Sequence, residues 1–180
     1  MTGGKASERQ LPSRDECITL LRDNGCSDDV IRHCLAVTEL AVKMARKCGA
    51  DVQLVEVGAL LHDIGRCQSH SIDHAVRGAK IAANLKLPDE VVKIVERHIG
   101  AGITRSEAKR LGLKDKDYAP KTLEEKIVSH ADNLTAGTER TTVKQAVGWL
   151  VRQGLHDPAL KVLKLHEELS AKCGMNLDDL

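Results

Sequence analysis

Aromatic side chains are nearly missing from this 180-residue chain, which has no Phe, one Trp (Trp149) and one Tyr (Tyr118). Flat rings are the usual platform on which single-stranded nucleic acid stacks its bases, so their scarcity argues against that mode of binding. Neither sign of charge prevails, because 27 basic residues meet 26 acidic ones for a formal +1. Such a surface offers no general field for DNA or an anionic membrane. No apolar run approaches the ~18 residues of a transmembrane helix. The stretch Met1–Gln10 is polar and lacks the apolar segment of a secretory signal. Residues 1–12 read as a short disordered leader, and the protein as cytoplasmic. Cysteines at ligand or redox spacing are lacking too. Cys17, Cys26, Cys34, Cys48, Cys67 and Cys173 are scattered singly, without a Cys-x-x-Cys pair. Free thiols in a reducing compartment are expected, and a thiolate zinc site is not.

What is present is a 42% apolar fraction carried mainly by Leu, Val, Ile and Ala. These side chains suit helix-on-helix packing, and Ala and Leu lead the helix propensity scale. Ser13–Glu16 has the pattern of a capping box, and Asn24-Gly25 stops the helix it opens. Ser27 caps a helix whose stripe runs Val30, Cys34, Val37, Ala41, Met44 and Cys48, at three- and four-residue spacing, until Gly49. Asp51 caps the next, which ends in Leu61-His62-Asp63-Ile64-Gly65. Further helices are expected over Asp73–Leu85, Asp89–His98 and Thr104–Leu111. Another follows a third capping-box pattern at Thr122–Glu125. Two more run over Thr142–Gln153 and Pro158–Cys173, and strand-like alternation is hard to find. The expected fold is all-α, a single-domain helical bundle over residues 13–180, with 138–180 as C-terminal helices. The stripes Val143/Ala146/Val147/Leu150 and Leu160/Leu163/Leu169 read as core, or else as a dimer face in a homodimer.

The chemistry sits in the placement of His and Asp. His62 and Asp63 are adjacent at a helix end, His33 lies on a helix upstream, His98 ends a later one, and Asp132 interrupts the apolar helix Ile127–Leu134. Imidazole and carboxylate groups on several packed helices are how bundles build metal sites in their cores. A mixed nitrogen and oxygen set suits manganese, iron, cobalt, nickel or magnesium. Taken singly, each has an ordinary reading as a surface or satisfied core residue. Two-residue spacing puts His130 and Asp132 on nearly opposite sides of their helix, so only one can face such a site.

The segment Leu61-His62-Asp63-Ile64-Gly65-Arg66, with His33 before it and Ala131-Asp132 after it, resembles the HD superfamily of metal-dependent phosphohydrolases. The subgroup is the one with the His-Asp-Ile-Gly signature, and the chain also looks like small HD proteins of archaeal type. The resemblance covers residues 30–137. It implies an HD-type bundle with His33, His62, Asp63 and Asp132 as metal ligands. His74 and His98 would be added where two metals bind, with Asp63 bridging. The stretch from His98 to Asp132 looks like bacterial HD-type diadenosine tetraphosphate hydrolases. Arg66 replaces the usual Lys of the subgroup, and arginine binds phosphate bidentately without donating a proton. Ile99 follows His98 where HD-GYP phosphodiesterases have a second His, and their Gly-Tyr-Pro element is absent, so cyclic di-GMP hydrolysis is not expected. The longer insertions of the triphosphohydrolase and (p)ppGpp hydrolase branches are absent as well.

The resemblance further implies one or two divalent cations and a small phosphorylated substrate, a nucleotide by preference, attacked by activated water. Asp63, Arg66 and His70 are the catalytic candidates, with His70 as a general acid. Arg66, Arg77, Arg97 and Lys126 are candidate phosphate partners, each with the ordinary reading of a solvated face. His156 and His166 read as surface residues. Two other classes share the ligand set, namely an HD-fold di-iron oxygenase and a metal-binding regulatory module without turnover.

Overall fold

The computed structural model describes residues 10–180. Most of the expected leader lies outside the described residues, whereas Leu11 packs against the core. Among the described residues there are nine α-helices: α1 (Arg14–Asp23), α2 (Asp28–Cys48), α3 (Val52–Leu61), α4 (His74–Asn84), α5 (Asp89–Arg97), α6 (Arg105–Arg110), α7 (Leu123–Asn133), α8 (Val143–Arg152) and α9 (His156–Cys173). The all-α expectation therefore holds, with one addition. A two-residue hairpin, β1 (Thr135–Ala136) with β2 (Glu139–Arg140), pairs Thr135 with Arg140 antiparallel. No helix is long and apolar enough to cross a membrane.

The helix starts follow their caps. Ser13 and Glu16 form the expected capping box, as do Thr104 and Glu107. At Thr122 the reciprocal half is missing. Its hydroxyl accepts from the Glu125 amide, but the Glu125 carboxylate is buried and turned to Arg97 and to the Lys121 amide. A buried carboxylate gains more from a guanidinium than from one exposed amide. A third capping box stands instead at Thr142–Gln145, and α9 starts two residues before the expected Pro158, which a first turn tolerates.

The main core runs through Leu21, Met44, Leu60, Leu61, Ile94 and Ile127, all essentially sealed from solvent. A satellite cluster holds Ile103, Ala108 and Tyr118. The stripe on α8 is not core, because no residue of that helix is fully buried. His166, expected at the surface, is buried, with Nδ1 3.0 Å from His130 Nε2 and Nε2 3.0 Å from Asn176 Oδ1. His156 is exposed, as expected. The expectation of six free thiols is also corrected. Cys48 and Cys173, which end α2 and α9, form a disulfide across 125 residues of sequence, and Cys17, Cys26, Cys34 and Cys67 are free. Helix periodicity places each cysteine on its stripe but cannot say which helix ends meet.

One glycine fixes the layout near the centre. Gly65 sits in a short 3-10 turn (Ile64–Cys67) against the start of α4. A Cβ there would fall inside the His74 carbonyl oxygen and 2.6 Å from the Gly78 nitrogen. Backbone lies on backbone, with no flexible side chain to give way. Gly65→Ala is expected to destabilise the fold by about 3 kcal/mol, a loss of roughly 6–12 °C in melting temperature, read by thermal denaturation. Separately, alkylation of the unreduced, denatured protein is expected to add four adducts by mass spectrometry, and six after reduction.

Candidate metal centre

Six side chains from five segments converge at the middle of the bundle. His33 comes from α2, His62 and Asp63 follow the end of α3, His74 opens α4, His98 closes α5, and Asp132 lies near the end of α7. All six residues of the sequence-derived ligand set are thus brought together. Asp63 stands between two groups of imidazoles. Its Oδ2 lies 3.9 Å from His33 Nε2 and 3.8 Å from His62 Nε2. Its Oδ1 lies 3.1 Å from His74 Nε2 and 3.5 Å from His98 Nε2. Asp132 Oδ1 closes the first group, 3.0 Å from His33 Nε2 and 3.6 Å from His62 Nε2.

Each ring is held by its other nitrogen. His62 Nδ1 lies 2.7 Å from the Ala59 carbonyl, His74 Nδ1 2.8 Å from that of Ser71, and His98 Nδ1 2.7 Å from that of Val95. These three are contacts three residues back, made where a helix begins or ends. His33 differs. Its Nδ1 reaches 2.7 Å to the Gly137 carbonyl, at the tip of the hairpin and 104 residues away. A carbonyl accepts only a proton, so each Nδ1 is the N–H and each Nε2 presents a lone pair inward.

That arrangement leaves the centre short of positive charge. His62 Nε2 is buried with no hydrogen-bond partner. His74 Nε2 and His98 Nε2 face each other at 3.0 Å, although both Nδ1 atoms already donate to carbonyls. Two lone pairs at that distance repel unless a proton or cation lies between them. Burial disfavours the charged form of Asp63, but the His62, His74 and His98 rings beside it outweigh that cost and hold the carboxyl well below the usual range. Burial likewise opposes ionisation of Asp132, and His33 and His62 overcome it. His98 goes the other way, as burial lowers its pKa and keeps the ring neutral. Burial alone would lower the His62 pKa, but Cys34, Asp63 and Asp132 raise it well above its ordinary value, so a proton and a cation compete for this ring. With the rings deprotonated, imidazoles beside ionised carboxylates form a donor set for a divalent cation. Two such groups are close enough for one ion each, His33/His62/Asp132 and His62/Asp63/His98.

The surrounding candidates divide. Arg66 Nε donates to both oxygens of Asp63 at 3.1 and 3.2 Å, and its Nη1 donates to the His70 carbonyl at 3.2 Å. Arg66, His70 and His74 line a cavity of about 740 Å³. A second cavity, of about 460 Å³, begins at Asp132. Arg77, Arg97 and Lys126 line neither cavity. Arg77 pairs with Asp73 at 2.6 Å, Arg97 with the buried Glu125 at 2.9 Å, and Lys126 with Glu168 on α9. Of the four candidate phosphate partners, Arg66 alone lines a cavity beside the cluster. His130 turns away from Asp132 to His166, and burial, with His166 and Arg140 nearby, pushes its pKa down to about 3. Trp149, which with Tyr118 is one of two rings the sequence offers for base stacking, lines both cavities together with Leu150 and with Asn133, which sequence reasoning missed. Leu150 reads in sequence as part of a core or dimer stripe, because periodicity does not separate a cavity wall from a core face.

Comparison with known proteins agrees with this geometry. The model of the HD domain family matches residues 30–137. A Methanocaldococcus jannaschii protein, named "Uncharacterized protein MJ0778", is 45% identical over 163 residues, covering 87% of this chain and 96% of its own. A tRNA (cytidine(56)-2'-O)-methyltransferase of Picrophilus torridus is 48% identical over 172 residues, 96% of this chain and 50% of that protein. The chain thus spans about half the length of the methyltransferases it matches. Ribonuclease Y of Acidothermus cellulolyticus is 32% identical over 111 residues, 61% of this chain and 19% of its own. Among solved structures, the HD domain of the L. monocytogenes phosphodiesterase PgpH in complex with cyclic-di-AMP superposes with a TM-score of 0.56 at 18% identity. It covers 87% of this chain and 94% of that one, a likeness of fold.

A cation that binds only the folded state stabilises it by mass action, by about 2.7 kcal/mol at a hundredfold excess over Kd. Manganese added to metal-free protein is expected to raise the melting temperature by roughly 5–10 °C. Asp63→Ala is expected to abolish that rise.

Proposed function

The chain belongs to the HD-domain family, and from that premise we propose that it is a metal-dependent phosphohydrolase of the His-Asp-Ile-Gly subgroup, cleaving a phosphoester or phosphoanhydride of a nucleotide. The observation that carries the reading is Asp63, one carboxylate placed between two groups of inward-facing Nε2 atoms. His33, His62 and Asp132 would hold one cation, His74 and His98 a second, and Asp63 would serve both. A divalent cation in this setting supplies Lewis acidity, lowering the pKa of a water and polarising a phosphoryl oxygen.

The protein's own groups do the remaining work. The four Nδ1 contacts fix each imidazole so that no ligand has to reorient on binding. Arg66, anchored on Asp63 and on the His70 carbonyl, keeps a guanidinium at the rim of the cavity, where it meets charge on the transferring phosphoryl. His70 is exposed and lines the same cavity, and would act as the general acid toward a leaving oxygen. Arginine stays charged throughout, so the division of labour is electrostatic for Arg66 and acid–base for His70.

The relatives bear on the substrate by their names. Ribonuclease Y and the tRNA methyltransferases are proteins of RNA chemistry, and a phosphodiesterase domain of like fold takes cyclic-di-AMP. Phosphodiesters therefore belong in the test beside monoesters.

The experiment is turnover of mononucleotides, dinucleotides, dinucleoside polyphosphates and short RNAs with manganese, cobalt, nickel, magnesium or iron. Phosphate or nucleotide release that needs metal and falls by at least about 10³-fold in Asp63→Ala is expected. Arg66→Ala is expected to lower kcat by about 10- to 100-fold with metal still bound, and Arg66→Lys to recover part of that. Stoichiometric metal uptake without turnover on any substrate would overturn the hydrolase reading in favour of an oxygenase or a regulatory module.

A further inference from the structure

We propose that Trp149 is the specificity-determining residue of this site, the platform on which the heteroaromatic ring of the substrate stacks. The proposal rests on the phosphohydrolase reading and adds to it how the non-reacting part of the substrate is held. The chain owns two large aromatic side chains. Tyr118 is 2% exposed, within its satellite cluster, and its hydroxyl donates to the Lys114 carbonyl, so it faces no ligand. Trp149 is 54% exposed. Of these two, Trp149 alone can offer its ring face to a ligand.

Its position supplies the second argument. Trp149 and Leu150 form the wall shared by both cavities, one of which starts at Arg66 and His74 and the other at Asp132. The cluster and the indole thus bound the same space from two sides. The larger cavity is chemically divided. Arg66, with the cluster behind it, makes a pole for phosphate, and Trp149, Leu111 and Leu155, all exposed large apolar residues, make the other pole. A molecule with a phosphate at one end and a flat apolar ring at the other matches that division. The volume of about 740 Å³ is enough for it.

Several polar groups of the wall are already taken up by the protein itself. The Asn133 amide donates to the Gly100 carbonyl, and the Gln145 carbonyl accepts from the Thr142 amide and hydroxyl. Glu107 is taken up by Lys161 and Thr104. Every base has a face to stack, so the gain from this contact follows ring area.

Because the chain has one tryptophan, its fluorescence reports the contact directly. Metal-loaded wild-type protein is mixed with AMP, GMP, CMP, UMP or ribose 5-phosphate, and the signal is read within the first second, before turnover accumulates. All four nucleotides are expected to quench, purines more than pyrimidines, and ribose 5-phosphate is expected to leave the signal unchanged. Calorimetric AMP affinity is expected to fall about 5- to 100-fold in Trp149→Leu and to return largely in Trp149→Phe. Manganese uptake and helical circular dichroism are expected to match wild type in both. Equal affinity for AMP and ribose 5-phosphate in wild type, or unchanged AMP affinity in Trp149→Leu, overturns the proposal. So does fluorescence that follows protein concentration rather than nucleotide, since a second copy would then cover the indole. Binding is read apart from catalysis, so ring-dependent quenching without turnover would sink the hydrolase reading alone. Turnover indifferent to the ring would sink only the role of Trp149.

Discussion

Everything near the centre of this molecule answers to one carboxylate. Asp63 is nearly sealed from solvent, and an isolated buried charge costs far more than the fold's whole margin of stability. Two groups of imidazoles and the Arg66 guanidinium surround it. Those rings in turn bring lone pairs that only a cation satisfies, as the orphaned His62 Nε2 shows. The arrangement is stable in folding terms because the surrounding helices are packed by Leu, Ile, Val and Ala at near-complete burial. The polar cluster they enclose offers inward-facing nitrogens and carboxylates for a cation. Function enters through that donor set.

Much of this was legible in the sequence, for physical reasons that differ from residue to residue. The α2 stripe and its caps announce themselves because helix geometry repeats every 3.6 residues and caps are local. His33, His62, Asp63, His74, His98 and Asp132 could be singled out by order and type, since each stands at or near a helix end or interrupts an apolar face. What escaped depends on contacts between distant segments. The Arg97–Glu125 pair breaks a capping box that the local pattern promises. The burial of His166 follows from His130 on another helix. The joining of Cys48 to Cys173 depends on where two helices end in space. The hairpin after Asp132, two residues per strand, is too short for alternation to register.

The division between core and cavity wall escaped for a related reason. A stripe of Val143, Ala146, Val147 and Leu150 looks the same in sequence whether it meets another helix or an open space. In this fold α8 buries none of its residues fully: Val143 and Ala146 pack partly against the main core, and Ala146, Trp149 and Leu150 face the cavities. A chain so poor in aromatics places one of its two large rings there. The bulk of the core is made from aliphatic side chains alone, which separates the residues that hold the fold from those that face its interior spaces.

The wiring of the four imidazoles sets an order of assembly. Three are oriented by carbonyls three residues behind them, contacts that exist as soon as the local turn exists. The fourth, His33, waits for a carbonyl 104 residues further along the chain. Local contacts close at low entropic cost and distant ones at high cost. The half of the site around His62, His74 and His98 is therefore aimed early in folding. The half around His33 and Asp132 is completed only when the hairpin docks. The aim of His33 is thus tied to the docking of the hairpin, and that of the other three rings to turns within their own segments.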